Sequence, residues 1–352
     1  MRTSLVVLAF VISGTGCQRF TVRTQSRVSV DGPLETRVTA DIPPVSPTAG
    51  RVRPVIVQAA APCSGRVAIV DIDGLILNTP FVGPLSVGEN PVALFREKLD
   101  AIEAESCTRA VVLRINSPGG GVAACAAMRR DLERFKERTK LPVVACLMDL
   151  AAGGAYHLAS AADVVIAEPA SVTGGLGVIL NLFNLKDLMA QFNVIPQSIK
   201  AGELVDIGSS SRPLKPAEQD LLQAMADDFH RLIMADVSRS RPKLDTKKVF
   251  DGRIFTGKQA LEHGMVDRLG DLDDAIQTAA MIGHPGATCV KPEVVLYRRT
   301  NDPATTIYAI TANIPLQGTG ILPSLPGLDR SKLPTFLCIW QPELTMEKLG
   351  GK

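Results

Sequence analysis

Three glycine-rich corners hold the residues whose types and spacing could do chemistry. The first is Arg114-Ile115-Asn116-Ser117-Pro118-Gly119-Gly120-Gly121, and the second runs Asp149-Leu150-Ala151-Ala152-Gly153-Gly154-Ala155-Tyr156-His157. The third is Thr173-Gly174-Gly175-Leu176-Gly177-Val178. Glycine lets a strand turn sharply into a helix and leaves backbone N–H groups free to meet an anion. A plain tight turn has the same composition, so one such corner alone says little. Three side chains there could act as a nucleophile or a base: Ser117, His157 and Ser160. Each also has a structural reading. Ser117 caps the helix that follows, and Ser160 lies on the helical face of Gly153 as a small packing residue. His157 could pair with Asp149, Cys146 or Cys125, or be a buried, hydrogen-bonded histidine. Lys200 reads as a solvated charge, and His230, His263 and His284 are too scattered to suggest a site.

Short apolar runs precede the corners: Val67 to Ile72, Ala110 to Ile115, Val143 to Leu147 and Val164 to Ala167. Rich in β-branched residues and flanked by helical patterns, they predict strands buried on both faces of an α/β fold. Leu94, Leu99 and Ile102 share one face of the first intervening helix, and Met128, Leu132 and Phe135 share a face of the second. A longer helix from Pro216 to about Ser240 spaces Leu221, Leu222, Met225, Phe229, Leu232 and Ile233 as a core-facing stripe, and another helix lies within Gly257 to Ala280. Beyond His284 the chain is proline-rich and reads as an extension wrapping the domain or a neighbour.

The start has the layout of a bacterial export signal, with Arg2, an apolar run from Leu5 to Ile12, small residues and then Cys17. Those eight residues are far short of the roughly 20 that a membrane-spanning helix needs. Small residues before Cys17 suggest a lipoprotein signal, although Gly14 stands where leucine is usual; simple secretion is the alternative. The expected organisation is a signal peptide over 1–17, a tether over 18–64, the α/β domain over 65–280 and a proline-rich C-terminal extension over 281–352. Lys plus Arg number 38 against 36 Asp plus Glu, a net charge of +2 without basic blocks, which argues against nucleic-acid binding. Cys107, Cys125 and Cys146 read as small buried residues without metal-ligand spacing. Cys63, Cys289 and Cys338 could supply one disulfide if the protein is exported. No cofactor or metal is expected.

Taken together the corners resemble the signal peptide peptidase A family, serine-lysine peptidases that share the Clp-protease and crotonase fold. The resemblance covers about Val67 to Ala280 and includes Gly252-Arg253-Ile254-Phe255-Thr256-Gly257 and Gly264-Met265-Val266-Asp267. It implies an α/β crotonase-like core with a helical C-terminal part, assembled as a homo-oligomeric ring. It also implies that the second corner carries the nucleophilic serine, which falls on Gly153, and that a downstream base lysine falls on Val205. Gly175 likewise replaces a usual serine. Glycine and valine supply neither a hydroxyl nor a proton acceptor, so the covalent route has lost both partners. An oxyanion hole from the amides near Gly119, Gly120 and Gly154 needs only backbone, and is expected to survive.

The resulting expectation is an exported protein of the periplasm or cell envelope, held to a membrane through lipid on Cys17. It would bind peptides or unfolded segments without cleaving them, in a ring of its own or mixed with an active paralogue. Two alternatives stand beside it. One is an active hydrolase with a relocated nucleophile among Ser117, Ser160 or Cys125 near His157. The other is a crotonase-type enzyme using the oxyanion hole on a thioester.

Overall fold

The structure is a computed structural model that describes residues 50–60, 65–79, 89–285, 291–299, 305–309 and 336–340, together with the strands Phe20–Ser29 (β1) and Pro33–Ile42 (β2). Cys17, Cys63 and Cys289 lie outside the described residues. The chain divides into two compact units, Met1–Ser46 and Pro47–Lys352. In the first, β1 and β2 pair antiparallel from Phe20–Ile42 to Ser29–Pro33.

The second unit is built in the order β3 (Arg53–Gln58), β4 (Arg66–Asp73), α1 (Pro91–Glu103), β5 (Thr108–Ser117), β6 (Gly119–Gly121), α2 (Val122–Thr139), β7 (Val143–Ala152) and α3 (Gly154–Ala159). There follow β8 (Val164–Ala167), β9 (Val172–Gly174), α4 (Lys186–Gln191), α5 (Pro216–Ser240), β10 (Ile254–Thr256) and α6 (Gly257–Glu262). The chain closes with β11 (Arg268–Leu269), α7 (Leu272–Gly283), β12 (Glu293–Arg298) and β13 (Leu337–Ile339). The main sheet runs β10-β9-β7-β5-β4-β12-β3, with β8 joining β7 to β11. Its centre is parallel, and β3 and β10 close the edges antiparallel. This is an α/β fold whose four central strands lie where the apolar runs predict them.

Both faces of the sheet are covered, which is why those runs are continuously apolar. Side chains alternate between faces. Ala68, Val70, Val111, Leu113, Val143 and Ala145 pack against Phe95, Leu99 and Ile102 of α1 and Met128, Leu132 and Phe135 of α2. Val67, Ile69, Ala110, Val112, Val144 and Cys146 point the other way, toward Leu272, Ala275, Ile276 and Ala279 of α7. α1 starts where it does because the Asn90 side chain accepts from the amides of Val92 (3.0 Å) and Ala93 (3.3 Å) ahead of Pro91. α2 stops at Lys140, which adopts a left-handed conformation with φ 57°.

A buried ionic cluster ties α1, β5 and β12 to β4. Lys98 Nζ lies 2.6 Å from Asp71 Oδ1, and Arg114 lies 3.0 Å from Asp73. Arg298 Nη1 is 3.7 Å from Asp71. Burial alone would raise the Asp71 carboxyl, but Lys98, Arg298 and Arg114 together hold it far below the usual carboxylate range.

Four expectations need correction, one of them Cys107, which is exposed and not a buried packing residue. The sheet exceeds 65–280, because β3 lies in the expected tether and β12 in the expected extension; each pairs with a buried neighbour that its own composition does not advertise. The α5 stripe is not core-facing along its length: Ile233 and Val237 are buried, whereas Leu221, Met225 and Leu232 are exposed. Only the C-terminal part of that helix reaches the domain core, so helical spacing marks an apolar face without saying what covers it. Cys338 is a free, buried cysteine within β13.

Candidate active site

The three corners meet at the ends of β5, β7 and β9. β5 stops at Ser117, and after Pro118 the chain forms β6 at the entrance to α2. Ser117 Oγ donates to the Gly74 carbonyl (2.6 Å) and accepts from the Gly119 amide (3.1 Å). Ser117 thus stitches the corner to the end of β4. It does not cap α2, whose N-cap is Gly121, without a side-chain bond. The Gly119 amide, expected among the oxyanion donors, is directed to Ser117.

Gly153 occupies the turn between β7 and α3 with φ 55° and ψ −125°, a conformation that costs an L side chain about 1–3 kcal/mol. Its amide donates to the Gly174 carbonyl (2.8 Å), which links the second corner to the third. Gly154 follows as the first residue of α3, and a β-carbon there would collide with Cys125 Sγ from α2. The close approach of α2 and α3 therefore requires glycine at 154.

The polar candidates are committed elsewhere. His157 is buried, and its Nε2 lies 3.1 Å from Asp236 Oδ2 on α5. Burial lowers its pKa below the ordinary histidine value, and Arg129 acts in the same direction while Asp236 opposes it. Ser160 Oγ donates to the His157 carbonyl (2.9 Å) and accepts from Arg129 Nη1 (2.7 Å). Arg129, buried on α2, also donates to the Ser240 hydroxyl (2.5 Å), so this group fastens α2, α3 and α5 together. Of the three proposed partners of His157, Asp149 is exposed and Cys146 packs on the opposite face of the sheet. Cys125 is fully buried, which drives its thiol pKa well above the ordinary value and keeps it protonated. Val205 is 67% exposed in the segment between α4 and α5. Lys200, five residues earlier, is ion-paired to Asp206 at 2.6 Å.

One participant escaped sequence reasoning. β13 pairs antiparallel with β6, with Leu337 opposite Gly121, Cys338 opposite Gly120 and Ile339 opposite Gly119. Its other edge bonds Ile179 twice, through both backbone groups of Leu337 at 2.9 Å. The short apolar run Phe336-Leu337-Cys338-Ile339 was the available signal, hidden in a proline-rich context.

This architecture and corner geometry define an α/β protein of the Clp-protease and crotonase type. Residues 135–283 match peptidase family S49. A putative protease of Synechocystis sp., slr0021, is 37% identical over 205 residues, covering 57% of this chain and 71% of the relative. The chain belongs to this family, that of signal peptide peptidase A. The chloroplastic serine protease SPPA of Arabidopsis thaliana is 34% identical over 219 residues, 61% of this chain and 32% of the relative. A putative signal peptide peptidase SppA of Enterococcus faecium is 27% identical over 216 residues, 60% of this chain and 62% of the relative. The match thus spans about a third of the plant protein and under two thirds of the enterococcal one.

Proposed function

We propose that this chain is an exported S49-family protein that binds extended peptides in the groove lined by the three corners and does not cleave them. The observation that carries the reading is Gly153, which has φ 55° at the strand-to-helix turn and, in the position that the resemblance gives to the nucleophile, no hydroxyl. Val205 at the base position removes the proton acceptor as well. The edge of β6 is suited to the task because it already takes an extended segment, β13, as an antiparallel partner, the pairing a peptide strand would make in its place. The Gly120 and Gly154 amides are assigned to the oxyanion hole, which would then polarise or simply hold a bound carbonyl.

Lipidation at Cys17 and membrane attachment complete the reading; the apolar run ahead of a cysteine supports them. Among the described residues no helix is long and apolar enough to cross a membrane. Assembly into a ring, with like subunits or an active paralogue, is supported by exposed large apolar side chains at Phe192, Ile195, Val205 and Leu232. No specific observation favours the relocated-nucleophile alternative, since Ser117, Ser160 and His157 are engaged in bonds that hold the corners. The test is hydrolysis and binding of a panel of denatured proteins and signal peptides by the protein and by its Gly153→Ser, Val205→Lys double variant. Binding without cleavage by the natural protein, with cleavage by the double variant, is expected. Cleavage by the natural protein would overturn the reading.

A further inference from the structure

We propose that the segment Phe336–Trp340 is an intramolecular pseudo-substrate: it occupies the peptide groove as a strand, presents the Cys338 carbonyl at Gly153, and must leave before another peptide can bind. This rests on the reading of the groove as a peptide site. Three residues of the segment, Phe336, Leu337 and Trp340, are held by backbone bonds to the surrounding loops. The Val122 amide donates to the Phe336 carbonyl (3.2 Å), the Ile179 and Leu337 backbones exchange two bonds of 2.9 Å, and the Trp340 amide donates to the Pro118 carbonyl (3.0 Å). Cys338 lies opposite Gly120 in the pairing with β6. The segment is thus a central strand between β6 and Ile179, the arrangement in which an extended ligand completes a sheet edge.

Its contacts with the glycine corners are specific. A β-carbon on Gly153 would stand 2.5 Å from the Cys338 oxygen and 2.8 Å from its carbonyl carbon. A β-carbon on Gly119 would also collide with that oxygen, and one on Gly175 would lie 2.8 Å from Trp340 Cβ. All three corners therefore close on five residues of the chain's own C-terminal part. The Phe336 ring adds an edge-on contact with Phe229 of α5, centroids 5.1 Å apart. Cys338 is 1% exposed, so its thiol becomes reactive only when the strand departs.

The experiment follows Cys338 by mass spectrometry during alkylation of the full-length protein, with and without the peptide Thr-Phe-Leu-Ser-Ile-Trp-Gln, which copies residues 335–341 with serine for cysteine. Binding of a fluorescent form of the peptide is measured in parallel. A double variant, Leu337→Pro and Trp340→Pro, removes two of the amide donors that hold the strand. The expected results are Cys338 alkylation at least tenfold slower than that of exposed Cys107, at least tenfold acceleration by saturating peptide, and at least tenfold tighter peptide binding by the double variant. Equal alkylation of Cys338 and Cys107 in the natural protein would overturn the proposal, as would equal peptide affinity in protein and variant. Should the variant release Cys338 yet bind neither this peptide nor the signal-peptide panel, the peptide reading of the groove fails. Binding of the panel alone would preserve that reading and refute the pseudo-substrate. If the variant does not fold, peptide-induced acceleration in the natural protein decides the matter.

Discussion

His157 Nε2 and Asp236 Oδ2 lie 3.1 Å apart and join the short helix after Gly153 to α5. The pair fixes what the histidine in the second corner does, since the imidazole bonds a carboxylate on α5 and not Asp149, Cys146 or Cys125. Burial holds the folded His157 pKa below its ordinary value of 6.5. A group of this kind favours the neutral fold, so its contribution is intact above about pH 6.5 and declines as pH falls toward the folded pKa. Thermal melts between pH 7.5 and 5 are expected to show a falling Tm that flattens in His157→Gln. Equal slopes in the two proteins would exclude this origin.

Asp71 should be far more important to stability than its single charge suggests. Lys98, Arg114 and Arg298 all neighbour its carboxylate, and both Lys98 and Asp71 side chains are 2% exposed. Removing one partner of a buried ionic group typically costs about 3–5 kcal/mol. Asp71→Asn is expected to lower stability by about that amount in urea unfolding. Its folded pKa is depressed, so the stabilisation is present above the unfolded value of 3.8 and is lost as pH falls through the lower folded value. A loss under about 1 kcal/mol would show that the cations are held by their other partners.

Two glycines with similar backbones separate intrinsic strain from crowding. Gly252 has φ 84° and open space where a β-carbon would go, whereas Gly119 has φ 98° and would drive its β-carbon into the Cys338 oxygen and to 2.7 Å from the Gly154 amide nitrogen. Gly252→Ala should cost about 1–2 kcal/mol from conformation alone. Gly119→Ala should cost more, and should also free Cys338 for alkylation. Similar losses in both variants, with Cys338 still protected, would show that the corner adapts without moving β13.

Thiol chemistry should rank the described cysteines by burial. Cys107 is exposed, while Cys125, Cys146 and Cys338 are buried. Burial pushes the Cys146 and Cys338 thiols up to about 12, well away from the thiolate form that reacts. Brief alkylation of the native protein is expected to modify Cys107 and spare the other three. Rapid modification of Cys125 would place it at an open site and revive it as a nucleophile.

The strands and corners were legible in the amino-acid order because their physical demands are local. A strand buried on both faces favours an unbroken apolar run, as at Val143 to Leu147, and a backbone with φ 55° and ψ −125° favours glycine, as at Gly153. The missing hydroxyl at Gly153 is a fact of composition that no folding can alter. Other features required the folded chain, because they depend on residues far apart in sequence meeting across a sheet or between helices. Asp236 reaches His157 across 79 positions, a separation over which spacing carries no signal. Ser117, a plausible helix cap by position, turns instead to Gly74 because β4 ends beside it. Cys338 sits opposite Gly120 because β13 pairs with the edge of β6 that faces away from Ile76, a meeting of segments more than 200 positions apart that local spacing does not signal. Local conformational preference thus set the strand-end corners, and long-range pairing brought β13 against them.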